Sequence, residues 1–322
     1  IIFITHKLGE AKEVADQVTV LRDGKNVGSA DPDDVTNEEL AEMMVGREVM
    51  LEVDKDEQSV GDPALTLSDL TVYDDDDIPQ VDGVSLTVRE GEVLGIAGVD
   101  GNGQSQLLEA VTGMEAPDEG TVELNGRDVT EVSRREHTHL GMSFIPEDRL
   151  KEGLIVDFDL TDNALLGNQY SDEYTSGPRI NWNAVKSHAE DIIDKYDVRT
   201  PGTKTSAHSL SGGNQQKFIV GREIMRDPSV LIASHPTRGV DVGSIEFIHD
   251  QLLELRSEGK GVLLVSSKLD EIQQLSDRIA VIYEGEIMDI VQPENVTDQD
   301  LGLLMAGEQL DEEAGTDGGE GE

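Results

Sequence analysis

The residues best suited to chemistry form a glycine-rich run, Gly98-Val99-Asp100-Gly101-Asn102-Gly103-Gln104-Ser105. It lies between a short apolar stretch, Val93-Leu94-Gly95-Ile96-Ala97, and a helical pattern, Gln106-Leu107-Leu108-Glu109-Ala110-Val111. Strand, glycine loop and helix in that order can wrap a phosphate. Glycines let backbone N–H groups converge on the anion, and the helix N-terminus adds its positive end. The pattern GxxxxGK(S/T) is met at Gly98, Gly103 and Ser105 and departs at the lysine position, which holds Gln104. A glutamine donates hydrogen bonds but brings no charge to the β- and γ-phosphates, so the run predicts weakened nucleotide binding and much slower hydrolysis. Ser105 keeps a hydroxyl suited to Mg²⁺. A structural glycine-rich turn is the alternative reading. A second cluster, Leu210-Ser211-Gly212-Gly213-Asn214-Gln215-Gln216-Lys217, opens the apolar-periodic helix Phe218-Ile219-Val220-Gly221-Arg222-Glu223-Ile224. Ser211 and the glycine amides would sit at a helix N-terminus, where a γ-phosphate can be gripped.

These runs must be carried by a domain, and an internal repeat sets its size. A gapless shift of 261 positions lays Ile4-Thr5-His6-Lys7-Leu8-Gly9-Glu10 on Val265-Ser266-Ser267-Lys268-Leu269-Asp270-Glu271. The same shift lays Asp16 on Asp277, Val20 to Gly24 on Val281 to Gly285, Thr36 on Thr297 and Gly46 on Gly307. The simplest account is two tandem copies of one domain, with only the tail of the first present, so the chain is expected to be a piece of a longer protein. Each tail reads as a buried strand, a helix, a strand–turn–strand and a final helix, with Asp23-Gly24 and Glu284-Gly285 as the turns. The expected division is a remnant over 1–46, a charged linker over 47–63, the second copy over 64–309, and a disordered Gly/acid tail over 310–322.

Composition narrows the function classes. The formal net charge is −43, from 25 Lys+Arg and 68 Asp+Glu. Such a surface opposes nucleic-acid binding, which needs cations to neutralise phosphates. The acids are spread between regular apolar runs rather than concentrated in a disordered tract, so a halophile's strongly screened cytosol is the expected setting. Cysteine is absent, which excludes disulfides and thiolate metal sites. No apolar run approaches the roughly 18 residues of a membrane span, and the start carries no signal pattern. A soluble protein that meets a membrane only through a partner is expected.

The run LSGGxQ at Leu210–Gln215 resembles the signature of ATP-binding-cassette (ABC) ATPases, a family in which two domains clasp ATP head-to-tail. Each composite site takes a phosphate loop from one domain and a signature from the other. The resemblance covers nearly the whole chain, from His6 to about Gly307. It implies an α/β fold of the P-loop NTPase class, with a mixed core sheet, an antiparallel β subdomain and a helical subdomain. Val230-Leu231-Ile232-Ala233-Ser234-His235 is similar to the family's Walker B strand, with Ser234 where an aspartate would hold the Mg²⁺ shell and His235 where a glutamate would polarise water. Ser267 stands at the switch-histidine position, which the first-copy tail fills with His6. Phe144-Ile145-Pro146-Glu147-Asp148-Arg149 resembles the Q-loop region, with Glu147 in place of Gln, and Tyr73 is the nearest candidate to stack on adenine.

The resemblance is to the fused tandem ATPases of simple-sugar, ribose and nucleoside importers. It implies ATP and Mg²⁺ as cofactors, with Gly98 to Gln106 holding the nucleotide. The implied partners are another cassette, a membrane permease docked near Glu147 and residues 150–210, and indirectly a substrate-binding protein. The implied location is the cytoplasmic face of the membrane, held there through the permease. Gln104, Ser234, His235 and Ser267 all depart from the hydrolytic pattern while the signature does not. The expectation is therefore one degenerate site and one active site, the active one served by Ser211-Gly212-Gly213 and His6. A regulatory nucleotide-binding module without a permease is the alternative.

Overall fold

The computed structural model describes residues 1–5, 8–22, 24–46, 55 and 58–310. His6, most of the expected linker and nearly all of the expected acidic tail lie outside the described residues. The chain forms two compact units: one of Gln58–Phe144, Pro228–Ser234 and residues from Arg256 onward, the other of Ile1–Glu57, Ile145–Asp227 and His235–Leu255.

The first unit is built on sheets. A six-stranded sheet runs in the order Glu286–Val291, Arg278–Tyr283, Val93–Ala97, Gly261–Val265, Val230–Ser234, Met142–Ile145. The strand pairs from Arg278–Tyr283 through Val93–Ala97 and Gly261–Val265 to Val230–Ser234 are parallel, and Glu286–Val291 is antiparallel to Arg278–Tyr283. Every residue of Val93–Ala97, Gly261–Val265 and Val230–Ser234 is buried. That is the pattern of parallel strands covered on both faces, and it is why these stretches read as unbroken apolar runs. Pro63–Tyr73, Pro79–Arg89, Glu119–Leu124 and Arg127–Asp128 make a four-stranded antiparallel sheet, in the order Pro79–Arg89, Pro63–Tyr73, Glu119–Leu124, Arg127–Asp128. One apolar cluster joins the two sheets through Leu67, Val84, Leu107, Ile232 and Ile282. Polar groups brace the base of the central strand. Asp277 takes Arg256 Nε and Nη2, both at 2.8 Å, and also the Val93 N–H, while buried Glu92 takes Arg278 Nε at 2.6 Å.

The second unit is mainly helical, with Leu160–Leu165, Trp182–Lys195, Gly212–Ile224 and Val242–Ser257 as its main helices. Gly221 lets the third of these lie against Tyr196, since a Cβ there would stand 2.7 Å from the ring. The N-terminal segment belongs to this unit and closes a small core of Val20, Val35 and Leu40, with Ala41 packed against Val242.

The 261-residue shift holds element by element. Helix Leu8–Val14 falls on Leu269–Leu275, hairpin Val18–Arg22/Lys25–Ala30 on Arg278–Tyr283/Glu286–Val291, and the short turn Pro32–Asp34 on Pro293–Asn295. Each hairpin carries its bulge at the same place, between Val20 and Leu21 and between Val281 and Ile282. Thr36 with Glu39 and Thr297 with Asp300 form matching capping boxes. The expected first strand is a correction. Ile1 to Thr5 form no strand, and Ile1, Ile2, Phe3 and Ile4 are exposed, because an apolar tract becomes a strand only where a neighbour completes its ladder. The sheet also begins at Pro63, one residue inside the expected linker.

Candidate nucleotide site

Val93–Ala97 delivers the glycine run to the carboxyl edge of the parallel strands, and helix Gln104–Thr112 leaves it. Gly101 and Gly103 take positive φ of 94° and 97°, a region open to glycine. Gly103 has a second reason to be glycine: a Cβ would stand 2.1 Å from the Gln80 carbonyl oxygen. The run is tied to the turn after Arg278–Tyr283, with the Glu284 N–H donating to Asn102 Oδ1 at 2.8 Å and the Gly285 N–H to the Asn102 carbonyl at 3.1 Å. Val99, Asp100, Gly101 and Ser105 are exposed, Asn102 and Gln106 half-buried, and Gly98, Gly103 and Gln104 buried. Gln104 does not point to solvent: its amide bonds back onto Val99 and Asn102.

Strand register places the neighbouring positions at the same edge. Ser234 pairs with Val265 and Val265 with Ile96, so Ser234, the Ser266-Ser267 turn and the glycine run all follow the ends of adjacent parallel strands. This is where open α/β sheets bind ligands. Ser234 is buried at 4% exposure, and Ser267 is exposed two residues past its strand. Tyr73 ends an antiparallel strand with its ring on the surface, and its backbone N–H donates to Asp118 Oδ2.

The phosphate part of the expected ligand fits this edge. The glycine run offers its backbone, and exposed Ser105 lies in the first turn of the helix that Gln104 begins. The divalent cation fits less well, because Ser234 supplies no carboxylate, and among the described residues no group of three or more His, Asp or Glu side chains could hold a metal ion.

The signature sits in the helical unit at the start of Gly212–Ile224. Ser211 is the N-cap, its Oγ accepting the Asn214 N–H at 3.4 Å and the Asn214 Nδ2 at 2.8 Å. Asn214 Oδ1 in turn accepts the Arg199 N–H at 2.7 Å. Gly213 is forced by close packing, since a Cβ there would meet Ser244 Oγ at 2.3 Å and Asp241 Oδ2 at 2.4 Å; a Cβ on Gly212 would meet the movable end of Arg149, Nη2 at 2.8 Å, and the Gly239 carbonyl oxygen at 3.2 Å. Leu210 is nearly buried, and Gln215 donates to the Ala207 carbonyl at 3.0 Å.

Sequence reasoning missed how this loop is fastened. Arg149 donates through Nε to Gln215 Oε1 at 3.2 Å and through Nη1 to the Arg238 carbonyl at 2.9 Å. Glu147 is ion-paired to Arg238. The Pro146-Glu147-Asp148-Arg149 run, the turn at Arg238 and the signature thus form one polar network in one unit. The signal was present, since both stretches stand out in the sequence, but nothing local pairs them. His235 belongs to this unit while Ser234 belongs to the sheet unit, and its φ of 44° is left-handed, with its carbonyl accepting the Arg238 N–H. Among the described residues no helix is long and apolar enough to cross a membrane.

Residues 81–238 match the family model described as ABC transporter. The chain is 49% identical to the guanosine import ATP-binding protein NupO of Bacillus subtilis over 91% of this chain and 58% of NupO. It is 45% identical to the nucleoside import ATP-binding protein NupA of Lactococcus lactis (97% of this chain, 62% of NupA). With the glucose import ATP-binding protein TsgD13 of Haloferax volcanii the identity is 47%, over 95% of this chain and 56% of TsgD13. The chain therefore spans 56–62% of the length of these relatives. Among solved structures, a nucleotide-free ATP-binding cassette from an ABC transporter superposes with a TM-score of 0.61 at 24% identity, over 71% of this chain and 91% of its own. A dimeric cassette in a post-hydrolysis state with ADP and Pi superposes at 0.62 and 22% identity, over 71% of this chain and 98% of its own. These two likenesses speak for the fold. With a glycine loop at the strand edge, a capped LSGG helix start and relatives of this identity, the chain belongs to the ATP-binding-cassette (ABC transporter) family.

Proposed function

We propose that this chain is the ATP-binding, energy-coupling part of an ABC importer for nucleosides or simple sugars, with a degenerate nucleotide site of its own. The observation that carries the reading is an asymmetry. The signature is intact in sequence and tightly built, whereas Gln104, Ser234 and Ser267 lack the charge or base that hydrolysis needs, and His235 stands in place of the glutamate with no aspartate at Ser234 to hold the metal beside it. The relatives' names as nucleoside, guanosine and glucose import proteins support the importer class.

In this reading the glycine run from Gly98 to Gln106 holds the phosphates and Ser105 offers its hydroxyl to Mg²⁺, which would screen phosphate charge when bound. Buried Ser234 gives that ion no anionic partner. Tyr73 supplies a ring for adenine. Glu147, braced by Arg238, lies where a permease would dock, and the chain works as a peripheral protein on the cytoplasmic face. Residues 1–46 are the tail of a first cassette, 47–63 the connection, 64–309 the second cassette and 310–322 a tail. Ser211-Gly212-Gly213 completes the first cassette's site together with His6, and that site turns over while this one clamps.

Mg-ATP turnover by the purified chain tests the division of labour. Slow or undetectable turnover is expected, and robust turnover would overturn it. In a two-cassette form with this chain as its second half, Ser211→Arg should abolish turnover. Retained activity there would reassign the roles.

A further inference from the structure

Gln104 acts as a ligand of its own loop. Its Nε2 donates to the Val99 carbonyl and its Oε1 accepts the Asn102 N–H, both at 3.0 Å. The side chain is 8% exposed, inside the run that should face phosphate. Gly98 makes the room for it, since a Cβ there would stand 2.6 Å from Nε2. The loop on the other side is held from outside. Asn102 is fastened through Oδ1 and its carbonyl to Glu284 and Gly285, and through Nδ2 to Val99 at 2.9 Å.

The chemistry of the two side chains differs at this point. A lysine ammonium has donors only, so it can bond the Val99 carbonyl but cannot accept the Asn102 N–H, which then keeps only its 3.3 Å bond to the Val99 carbonyl against an incoming oxygen. The glutamine amide has a donor and an acceptor, and here it uses both at once. Its carbonyl oxygen adds a 3.0 Å bond to a loop N–H group whose remaining tie is a longer one, 3.3 Å to the Val99 carbonyl, and phosphate must displace both.

We propose that Gln104 is a latch, an intramolecular competitor for phosphate, so that a polyphosphate binds only after the amide swings out of the loop. The proposal rests on the reading of this loop as the nucleotide site. Two hydrogen bonds of ordinary net strength favour the latched form about 5- to 150-fold, and apparent affinity falls by the same factor because only the open fraction binds. Removing the side chain then has an effect opposite in sign to what a merely weak phosphate ligand would give. Truncating a ligand loosens binding, whereas truncating a competitor tightens it.

The experiment compares the chain with Gln104→Ala and Gln104→Lys, using calorimetric titration with pyrophosphate and with Mg-ADP, and amide hydrogen exchange at Asn102 without ligand. Gln104→Ala is expected to bind pyrophosphate roughly tenfold more tightly than the native chain and to lose part of the protection at the Asn102 N–H, which keeps its bond to the Val99 carbonyl. Equal or weaker binding by Gln104→Ala beside a binding Gln104→Lys, or unchanged exchange at Asn102, overturns the latch while the nucleotide site stands. Absence of binding by all three proteins overturns the nucleotide-site reading, and the latch falls with it.

Discussion

Gly213→Ala tests whether the signature loop is built as described. The helix Gly212–Ile224 should welcome the change, since replacing a helical glycine by alanine gains about 0.5–1 kcal/mol. The packing opposes it. The new Cβ would lie 2.3 Å from Ser244 Oγ and 2.4 Å from Asp241 Oδ2. Those two atoms are themselves bonded at 2.9 Å, and Asp241 Oδ1 also accepts the Ser244 N–H at 3.1 Å, so neither can retreat without breaking the start of the next helix. Overpacking of this kind costs about 1–3 kcal/mol. Losing the Asp241 contacts adds about 1 kcal/mol. The net expectation is destabilisation of about 1–3 kcal/mol. Gly243→Ala is the internal control: it also lies in a first helical turn of the same unit, and its Cβ would meet nothing nearer than 3.4 Å. It should be neutral or stabilised by up to about 1 kcal/mol. Urea unfolding followed by the fluorescence of Trp182, the single tryptophan and a residue of this unit, reads both variants. A Gly213→Ala chain as stable as the native one, or a Gly243→Ala chain less stable than it, would refute the argument.

Asp277→Ala should destabilise the sheet unit by about 1–3 kcal/mol, because it removes the carboxylate that takes two bonds from the buried Arg256 guanidinium and frees the Val93 N–H; urea midpoints by circular dichroism check it. Burial holds His188 below the ordinary histidine value, despite Glu173 and Asp191 nearby. The folded chain therefore resists a proton that the unfolded chain accepts, so this residue's contribution is intact above about pH 6.5 and declines as pH falls below it. Relative to the native chain, His188→Gln, which keeps a polar group facing Asn168, should flatten that acid limb in melts between about pH 7.5 and pH 5.5; parallel limbs would refute it. The net charge of −43 predicts a thermal midpoint that climbs as KCl is raised from about 0.1 M to about 2 M, and a flat response would remove self-repulsion as a governing factor.

What the sequence revealed and what it hid divide along a physical line. Both glycine-bearing runs were legible because their local structure is written in the sequence: strand, glycines and helix for Gly98 to Ser105, and a cap with two glycines for Ser211 to Gly213. The repeat was legible for the same reason, since turn, bulge and capping box are each written within a few residues and recur at Val281, Gly285 and Thr297. The apolar tract Ile1 to Ile4 misled because a buried strand requires neighbours that no local pattern can promise. The fastening of the signature was hidden too, because Glu147 and Arg149 find Arg238 and Gln215 only once the helical unit has formed. Gln104 falls between these cases. Its identity announced a lost charge at once, and from that alone the loop reads as a poor phosphate site. Its direction is set by Gly98 beneath it and by Asn102 held from across the sheet, and that direction changes the deficit from a missing attraction into a competing one. A missing attraction is restored only by adding charge. A competing one is also relieved by taking the side chain away, which is why Gln104→Ala separates the two accounts and Gln104→Lys alone does not.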